Sequence, residues 1–336
     1  MINNKEAEGR LENLSDPVTG DCLLKEKIKH VCNLALLSFS YTLGEHRIRV
    51  ASSIGDRCRA WALVYAAYLA KGYAKPNAQR LWYGLHDALP NTTTFLAERR
   101  PNPCDEQTEG FLSAKQTQEV ATLTLVFDSP LRLPSDDLYA PELDSLRSQG
   151  RRLCEIISLV NTKSAPGMEA SLTKHLFKLA YHTSYSLERA TDLVITVNPR
   201  HALFYERYAL FQRLGEERPY GKVNGAPAVL LRLDLERATP DYLRKAETGS
   251  VSKLHAYREF MLESAGEIEG WLRQQRTPLD IGSIQRYFAA DRPILQDLKP
   301  ELRRYLLGLY GQKPEAAEET PGFFELSPFP APALVA

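Results

Sequence analysis

Leu153-Cys154-Glu155-Ile156-Ile157-Ser158-Leu159-Val160 is the stretch on which the fold turns. Eight residues dominated by aliphatic and β-branched side chains read as a buried strand. The two-residue period of a strand puts Leu153, Glu155 and Ile157 on one face and Cys154 and Ile156 on the other. Upstream, Val120 to Phe127 is a second strand, broken by Asp128-Ser129-Pro130, and a loop and short helix fill 134–149. Downstream, Met168 to Glu188 carries Leu172, Leu176, Leu179, Thr183 and Leu187 at helical spacing. A strand at Leu193 to Val197, a helix from Ala202 to Leu214 and a strand at Ala228 to Leu235 follow. Nearer the start, strands are expected at Ile48 to Ser52 and Thr92 to Ala97, with helices at Arg57 to Lys71 and Gln79 to Ala88 between them. This order predicts an α/β fold with a mixed central sheet rather than a doubly wound parallel one.

The remainder divides by composition. Residues 1–46 read as a polar tail with a helix at Cys22 to Phe39, and 47–236 hold the α/β domain. Residues 237–312 form a helical appendage, in which Leu254, Tyr257, Met261, Ala265, Ile268 and Leu272 make one stripe. Ile281, Ile284 and Phe288 make a second, and Leu302, Tyr305, Leu306 and Leu309 a third. Residues 313–336, rich in Pro and Glu, read as a flexible tail.

The 336 residues carry 42 basic and 42 acidic side chains, so no global field draws the chain to nucleic acid or an anionic membrane. Cys22, Cys32, Cys58, Cys104 and Cys154 are widely spaced, with no CxxC pair and no His at ligand spacing. Neither a disulfide framework nor a metal site is expected, and the reducing cytoplasm is the expected compartment. The longest apolar stretch, Trp61 to Ala70, is too short to span a bilayer, and the first residues lack a signal-peptide core.

Glu155 is the residue with the most chemistry in it. A carboxylate on an apolar strand face costs several kcal/mol unless it is paired or its pKa rises. A raised pKa suits a base that takes a proton from an ammonium near neutrality; a salt bridge to Arg151 or Arg200 is the structural alternative. Asn198-Pro199-Arg200-His201 stands at the carboxyl end of a strand, where open α/β sheets keep their ligand crevices. His201 and, one turn on, Tyr205 are proton carriers there, unless Asn198 and His201 only cap the helix and Tyr205 only packs. Cys154 points away from Glu155 and reads as a buried structural thiol. Two basic clusters, Arg147-Arg151-Arg152 and Lys163-Lys174-Lys178, suit an acidic partner or a phosphopantetheine, or else are ordinary solvated charge.

From Val120 to Asp234 the chain resembles the FeeM-like N-acyl amino acid synthases, a branch of the GNAT superfamily related to acyl-homoserine-lactone synthases. The likeness is carried by ATLTLVFDSP, LPSDDLYAPELDSLRSQGRRLCEI, VNPRHALFYERY and LGEERPYGKVNGAPAVLLRLDL, with support from the helix ending YLAKGY at Tyr68 to Tyr73. It covers about Ile48 to Leu235 and implies a GNAT-type mixed sheet whose two parallel strands, Leu153–Val160 and Leu193–Val197, splay to admit a thioester arm. It further implies a fatty acyl thioester on acyl carrier protein as donor and a free amino acid as acceptor. No bound cofactor is implied; the phosphopantetheine thioester is a co-substrate.

Glu155, His201 and Tyr205 match family positions and would be catalytic. Asn198, Arg200, Ser158 and Ile157 would meet substrate, Ile157 standing where the family often has a small polar residue. The two basic clusters would dock the carrier protein. The CoA-type loop Arg/Gln-x-x-Gly-x-Gly/Ala is absent, since Gly167 is the only glycine between Asn161 and Leu172, which favours a carrier-protein donor. Rival readings are an autoinducer-type synthase, a non-catalytic acyl-carrier or acyl-lipid binding protein and, disfavoured by the missing loop, a CoA-dependent acetyltransferase.

Overall fold

A computed structural model describes residues 41–100, 117–162, 168–238 and 264–311. Nine strands form the sheet: β1 (Tyr41–Leu43), β2 (His46–Val50), β3 (Thr93–Arg99), β4 (Gln118–Phe127), β5 (Leu153–Asn161), β6 (Asp192–Val197), β7 (Gln212–Arg213), β8 (Arg218–Tyr220) and β9 (Ala226–Asp234). The order across it is β1-β2-β3-β4-β5-β6-β9-β7, with β8 beside β9. Among the described residues only β5 and β6 run parallel; the other pairs are antiparallel. This is the mixed sheet, with β5 and β6 as its parallel pair, expected from the sequence.

The helices are α1 (Ile54–Ala70), α2 (Asp136–Ser148), α3 (Met168–Tyr181), α4 (Pro199–Tyr208), α5 (Ala265–Gln275), α6 (Ile281–Gln285) and α7 (Pro300–Gly308). Ser53 starts α1 by accepting the Asp56 N–H at 3.1 Å. α3 leaves the α-helical path at its end and continues as a π-turn over His182–Leu187. There the hydroxyls of Thr183 and Ser184 donate back to the carbonyls of Leu179 and Ala180, at 2.8 and 2.7 Å, the bonding that bends helices.

The sheet separates two apolar layers. Cys154 and Ile156 face one, with Phe95, Leu123, Leu172 and Leu176. Leu153 and Ile157 face the other, with Trp61, Tyr139, Leu143, Phe288 and Leu306. The alternation read from the sequence therefore holds along β5 as far as Ile157. Then Thr122 and Thr124 of β4 pair with Val160 and Ile157, so β5 carries one extra residue between them. Ser158, at φ +54°, takes up that bulge. Leu159, on the same parity as Ile157, now packs against the opposite layer.

On the other side of β5 the parallel ladder runs from Leu153↔Asp192 to Ile156↔Ile195 and ends. β6 keeps pairing with β9 as far as Val197↔Val229, so the two parallel strands part where the bulge sits.

Several elements differ from expectation. No α-helix covers 79–88: a single 3-10 turn, Leu85–Ala88, follows extended Gly84. Packing overrides helical propensity there, since Tyr83 stacks on Trp61 at 4.6 Å and the Trp82 N–H donates to the Trp61 carbonyl. α4 stops at Tyr208 rather than Leu214, and Leu210 at φ +59° turns the chain into β7. The described helices α5 to α7 share the core instead of standing apart. Ile268, Trp271 and Leu272 enter the first layer; Leu279, Ile284, Phe288, Leu295 and Leu306 enter the second. The helix expected at 22–39 and the stripe residues Leu254, Tyr257 and Met261 lie outside the described residues. Among the described residues no helix is long and apolar enough to cross a membrane.

Candidate active site

A cleft of about 780 Å³ opens at the splay. β5 contributes Glu155 to Leu159, β6 contributes Ile195 to Val197, and α4 contributes His201 and Tyr205 together with Asn198 just before it. The far walls come from the end of α1, the turn at 82–87, the loop at 131–137 and the segment at 220–228, with Arg292 and Ile294 from beyond α6.

Glu155 is 2% exposed on the apolar face of β5, yet it borders the cleft. Burial is the largest influence on it and pushes its pKa up to about 7, against the pull of two hydrogen bonds from Ser135 and the nearby charge of Lys222. The Ser135 N–H donates to Oε2 at 2.9 Å and the Ser135 hydroxyl to Oε1 at 2.5 Å. The Thr196 hydroxyl lies 2.6 Å from the Ser135 Oγ. With Glu155 ionised, each hydroxyl has one proton to give, so the chain runs Thr196 to Ser135 to Glu155. Its outer end, Thr196, lines the cleft. No arginine pairs with Glu155 among the described residues, which removes the salt bridge to Arg151 or Arg200 as the account of its burial.

Ser135 stands where α2 begins, but its side chain caps nothing, because the hydroxyl is turned to Glu155. Asp136 does the local work instead, accepting the Leu133 N–H at 2.8 Å. In the sequence, Pro134-Ser135-Asp136-Asp137 has the look of a helix start, and that ordinary reading hides the serine's second role.

At the other end of the cleft, Asn198 does cap α4, its Oδ1 accepting the Arg200 N–H at 3.1 Å, and Pro199 takes the first turn. His201 is exposed, and its pKa is lowered by partial burial and then by the charges of Lys71 and Arg200, so the ring is held neutral. Tyr205 is 8% exposed, packed against Phe177 and Phe211 at 5.9 Å each, and burial pushes its phenol up to about 12. It keeps its proton at any physiological pH and can donate it. Ile157 and Ser158 also border the cleft.

Thus Glu155, Ile157, Ser158, Asn198, His201 and Tyr205 surround one space. Arg200 is exposed and does not border it. Ser135, Thr196, Tyr220 and Lys222 were not legible as site residues. Tyr220 bonds the Pro134 carbonyl at 3.3 Å, and Lys222 pairs with Asp137. Cys154, in the opposite layer, contacts the Asp192 carbonyl at 3.4 Å, and burial raises its pKa far above that of a nucleophilic thiol.

Two residues of the arginine cluster are spent on carboxylates. Arg147 is matched by Asp128, Asp136 and Asp144, and Arg151 by Asp192, Asp234 and Glu236. Arg151 and Arg152 precede β5, whereas the splay lies about 20 Å away at its other end, at roughly 3.3 Å per residue. Arg152 itself is exposed and donates to the Arg189 carbonyl at 2.5 Å. Of the lysines, Lys178 is 3% exposed and faces inward, so it presents no surface charge, and Lys163 lies outside the described residues. Lys174 is exposed, on the helix that follows the splayed end of β5. Among the described residues no cluster of three or more His, Cys, Asp or Glu side chains is disposed to hold a metal ion.

The sequence model for the family described as N-acyl amino acid synthase FeeM matches residues 59–234, just over half of the chain. Among solved structures, FeeM, an N-acyl amino acid synthase from uncultured soil microbes, is 24% identical over 61% of this chain and 98% of its own, at a TM-score of 0.46. The AHL synthase LasI is 14% identical over 56% and 90%, at 0.40. The ribosomal-protein-S5-alanine acetyltransferase from Vibrio fischeri is 12% identical over 60% and 99%, at 0.37. No curated protein matches the chain.

Proposed function

The chain belongs to the FeeM family of N-acyl amino acid synthases, and on that premise we propose that it moves a fatty acyl group from a carrier-protein thioester to the amino group of a free amino acid. One observation carries the reading: a buried carboxyl with a pKa of about 7 borders the cleft where the two parallel strands part. Such a group takes up a proton from an ammonium at neutral pH without a large penalty.

In this mechanism the thioester arm enters at the splay, and the β5 backbone beyond Ile156, released from the ladder with β6, turns amide dipoles to the carbonyl oxygen. The acyl chain runs between the apolar side chains of the far wall, such as Trp82, Leu131 and Leu133, and Ile157 of β5. Glu155, directly or through Ser135 and Thr196, removes a proton from the amino acid ammonium. The amine attacks, a C–N bond forms, and the adduct collapses with cleavage of the C–S bond. The nitrogen passes its second proton to the neutral ring of His201, and the thiolate takes one from Tyr205. No acyl-enzyme is needed, since the thiol of Cys154 is buried on the far face of β5.

The absent glycine loop before α3 favours a carrier protein over CoA as donor. Carrier proteins are acidic, and the exposed cations at the splayed end, Lys174 and Arg200, suit such a surface better than the neutralised arginines at the other end.

Thiol release from acyl carrier protein thioesters in the presence of amino acids tests the reading. Glu155→Gln is expected to lower kcat by roughly 10²- to 10⁴-fold while leaving KM for the acyl donor within a few-fold. Near-normal turnover would remove Glu155 from its role.

A further inference from the structure

An amino acid brings a carboxylate as well as an amine, and an anion entering a half-enclosed cleft needs a positive partner there. Most basic side chains around the cleft are already committed. Arg132 pairs with Asp136 and Asp144, and Lys222 with Asp137. His86 is held neutral, burial and the charge of Lys222 pushing its pKa down to about 4.

Two cations that border the cleft have no ion-pair partner among the described residues, Lys71 and Arg292. Lys71 is exposed at the end of α1, beside His201, at the α4 end of the cleft. Arg292 is half-buried and fixed. Its Nη1 donates to the Tyr83 carbonyl at 2.6 Å, and its guanidinium lies 4.9 Å from the centre of the Tyr83 ring. The carboxylate on the same wall, Asp87, is taken by Trp61 Nε1 at 3.0 Å and the Gly84 N–H at 2.9 Å. A guanidinium anchored by one nitrogen and a ring, with no ion pair to a carboxylate among the described residues, is pre-organised for a bidentate carboxylate.

From this arrangement we infer that Arg292 binds the carboxylate of the acceptor amino acid, so that a residue beyond the family-matched stretch completes the acceptor half of the site. The inference rests on the acyltransfer reading of the cleft, and it gives the C-terminal segment a part in substrate selection. Arg292 is a binding residue, distant in role from the proton transfers at Glu155.

The test compares the accepted amino acid with its carboxamide, which keeps the amine and removes the charge, in wild type, Arg292→Gln and Arg292→Lys. In Arg292→Gln, KM for the amino acid is expected to rise roughly 10- to 100-fold, the loss typical of a charged hydrogen-bonded pair. kcat and the acyl-donor KM should stay within a few-fold, KM for the carboxamide should not move, and Arg292→Lys should recover part of the preference. A Gln variant that still prefers the acid over the carboxamide as strongly as wild type would overturn the inference. Calorimetric titration of the same two ligands separates it from the reading it rests on. If wild type makes no product, the acyltransfer reading fails. The anchor then stands or falls on whether wild type binds the acid, and whether Arg292→Gln loses that binding.

Discussion

Glu155 and Ser135 show how one pair of residues sets the chemistry. Burial favours the neutral carboxyl and the two Ser135 donors favour the charged one, and burial wins, leaving the group poised near neutrality instead of at its ordinary 4.5. The consequence for stability has a definite sign. Between about 4.5 and 7 the folded protein binds more protons at this site than the unfolded chain, so stability falls as pH rises through that window and stays reduced above it. A shift of this size corresponds to about 3 kcal/mol. Glu155→Gln carries no charge and can still accept from the Ser135 N–H and donate to its hydroxyl. The variant is therefore expected to melt several degrees above wild type at pH 8, with the gap narrowing at pH 5. Melting curves at the two pH values check this, and a gap independent of pH would contradict it. Glu155 was legible because a carboxylate amid alternating aliphatics is a visible anomaly. Ser135 was not, because a serine before Asp-Asp at a helix start already has an ordinary explanation.

At the scale of elements, the splay is a matter of register. One extra residue in β5 bends the strand away from β6 after Ile156, and Ser158 adopts a left-handed conformation to accommodate it. A serine at φ +54° stores strain that glycine would not. Ser158→Gly is expected to match or exceed wild-type stability, by up to about 1 kcal/mol, and to retain turnover. Ser158→Val, β-branched and poorly suited to positive φ, should lose about 1–3 kcal/mol and lower kcat by re-aiming the backbone of β5. Denaturant midpoints and initial rates read both effects; a Val variant with wild-type values of each would contradict the role given to the bulge. The strands at 120–127 and 153–160 were legible because their long aliphatic runs have few competing conformations. The bulge left no mark, since Ser158 looks like any polar residue on a strand. The helix expected at 79–88 failed because propensity is weaker than the stacking of Tyr83 on Trp61.

Across the whole molecule, the family-matched stretch ends at 234, yet the structure does not divide there. Trp61 and Tyr83 from the first half meet Phe288 with ring centroids 6.1 and 5.3 Å apart, and Phe288 and Ile284 are fully buried. The C-terminal helical stripes were legible as amphipathic periodicity, but a single sequence does not say what an apolar stripe packs against. Here the stripes at 284–288 and 302–306 pack on the layer that holds Trp61 and Tyr83, which brings Arg292 into the wall of the cleft beside Tyr83. The central claim, that this cleft joins a fatty acyl group to an amino acid, is most directly tested by mass spectrometry. Organic extracts of a bacterial host expressing the chain would be compared with an empty vector and with Glu155→Gln. New species with the mass of a long-chain fatty acid plus an amino acid minus water, absent from the variant, are the expected result. Equal amounts of such species in wild type and variant, or none from a well-folded wild-type protein given both substrates, would contradict it.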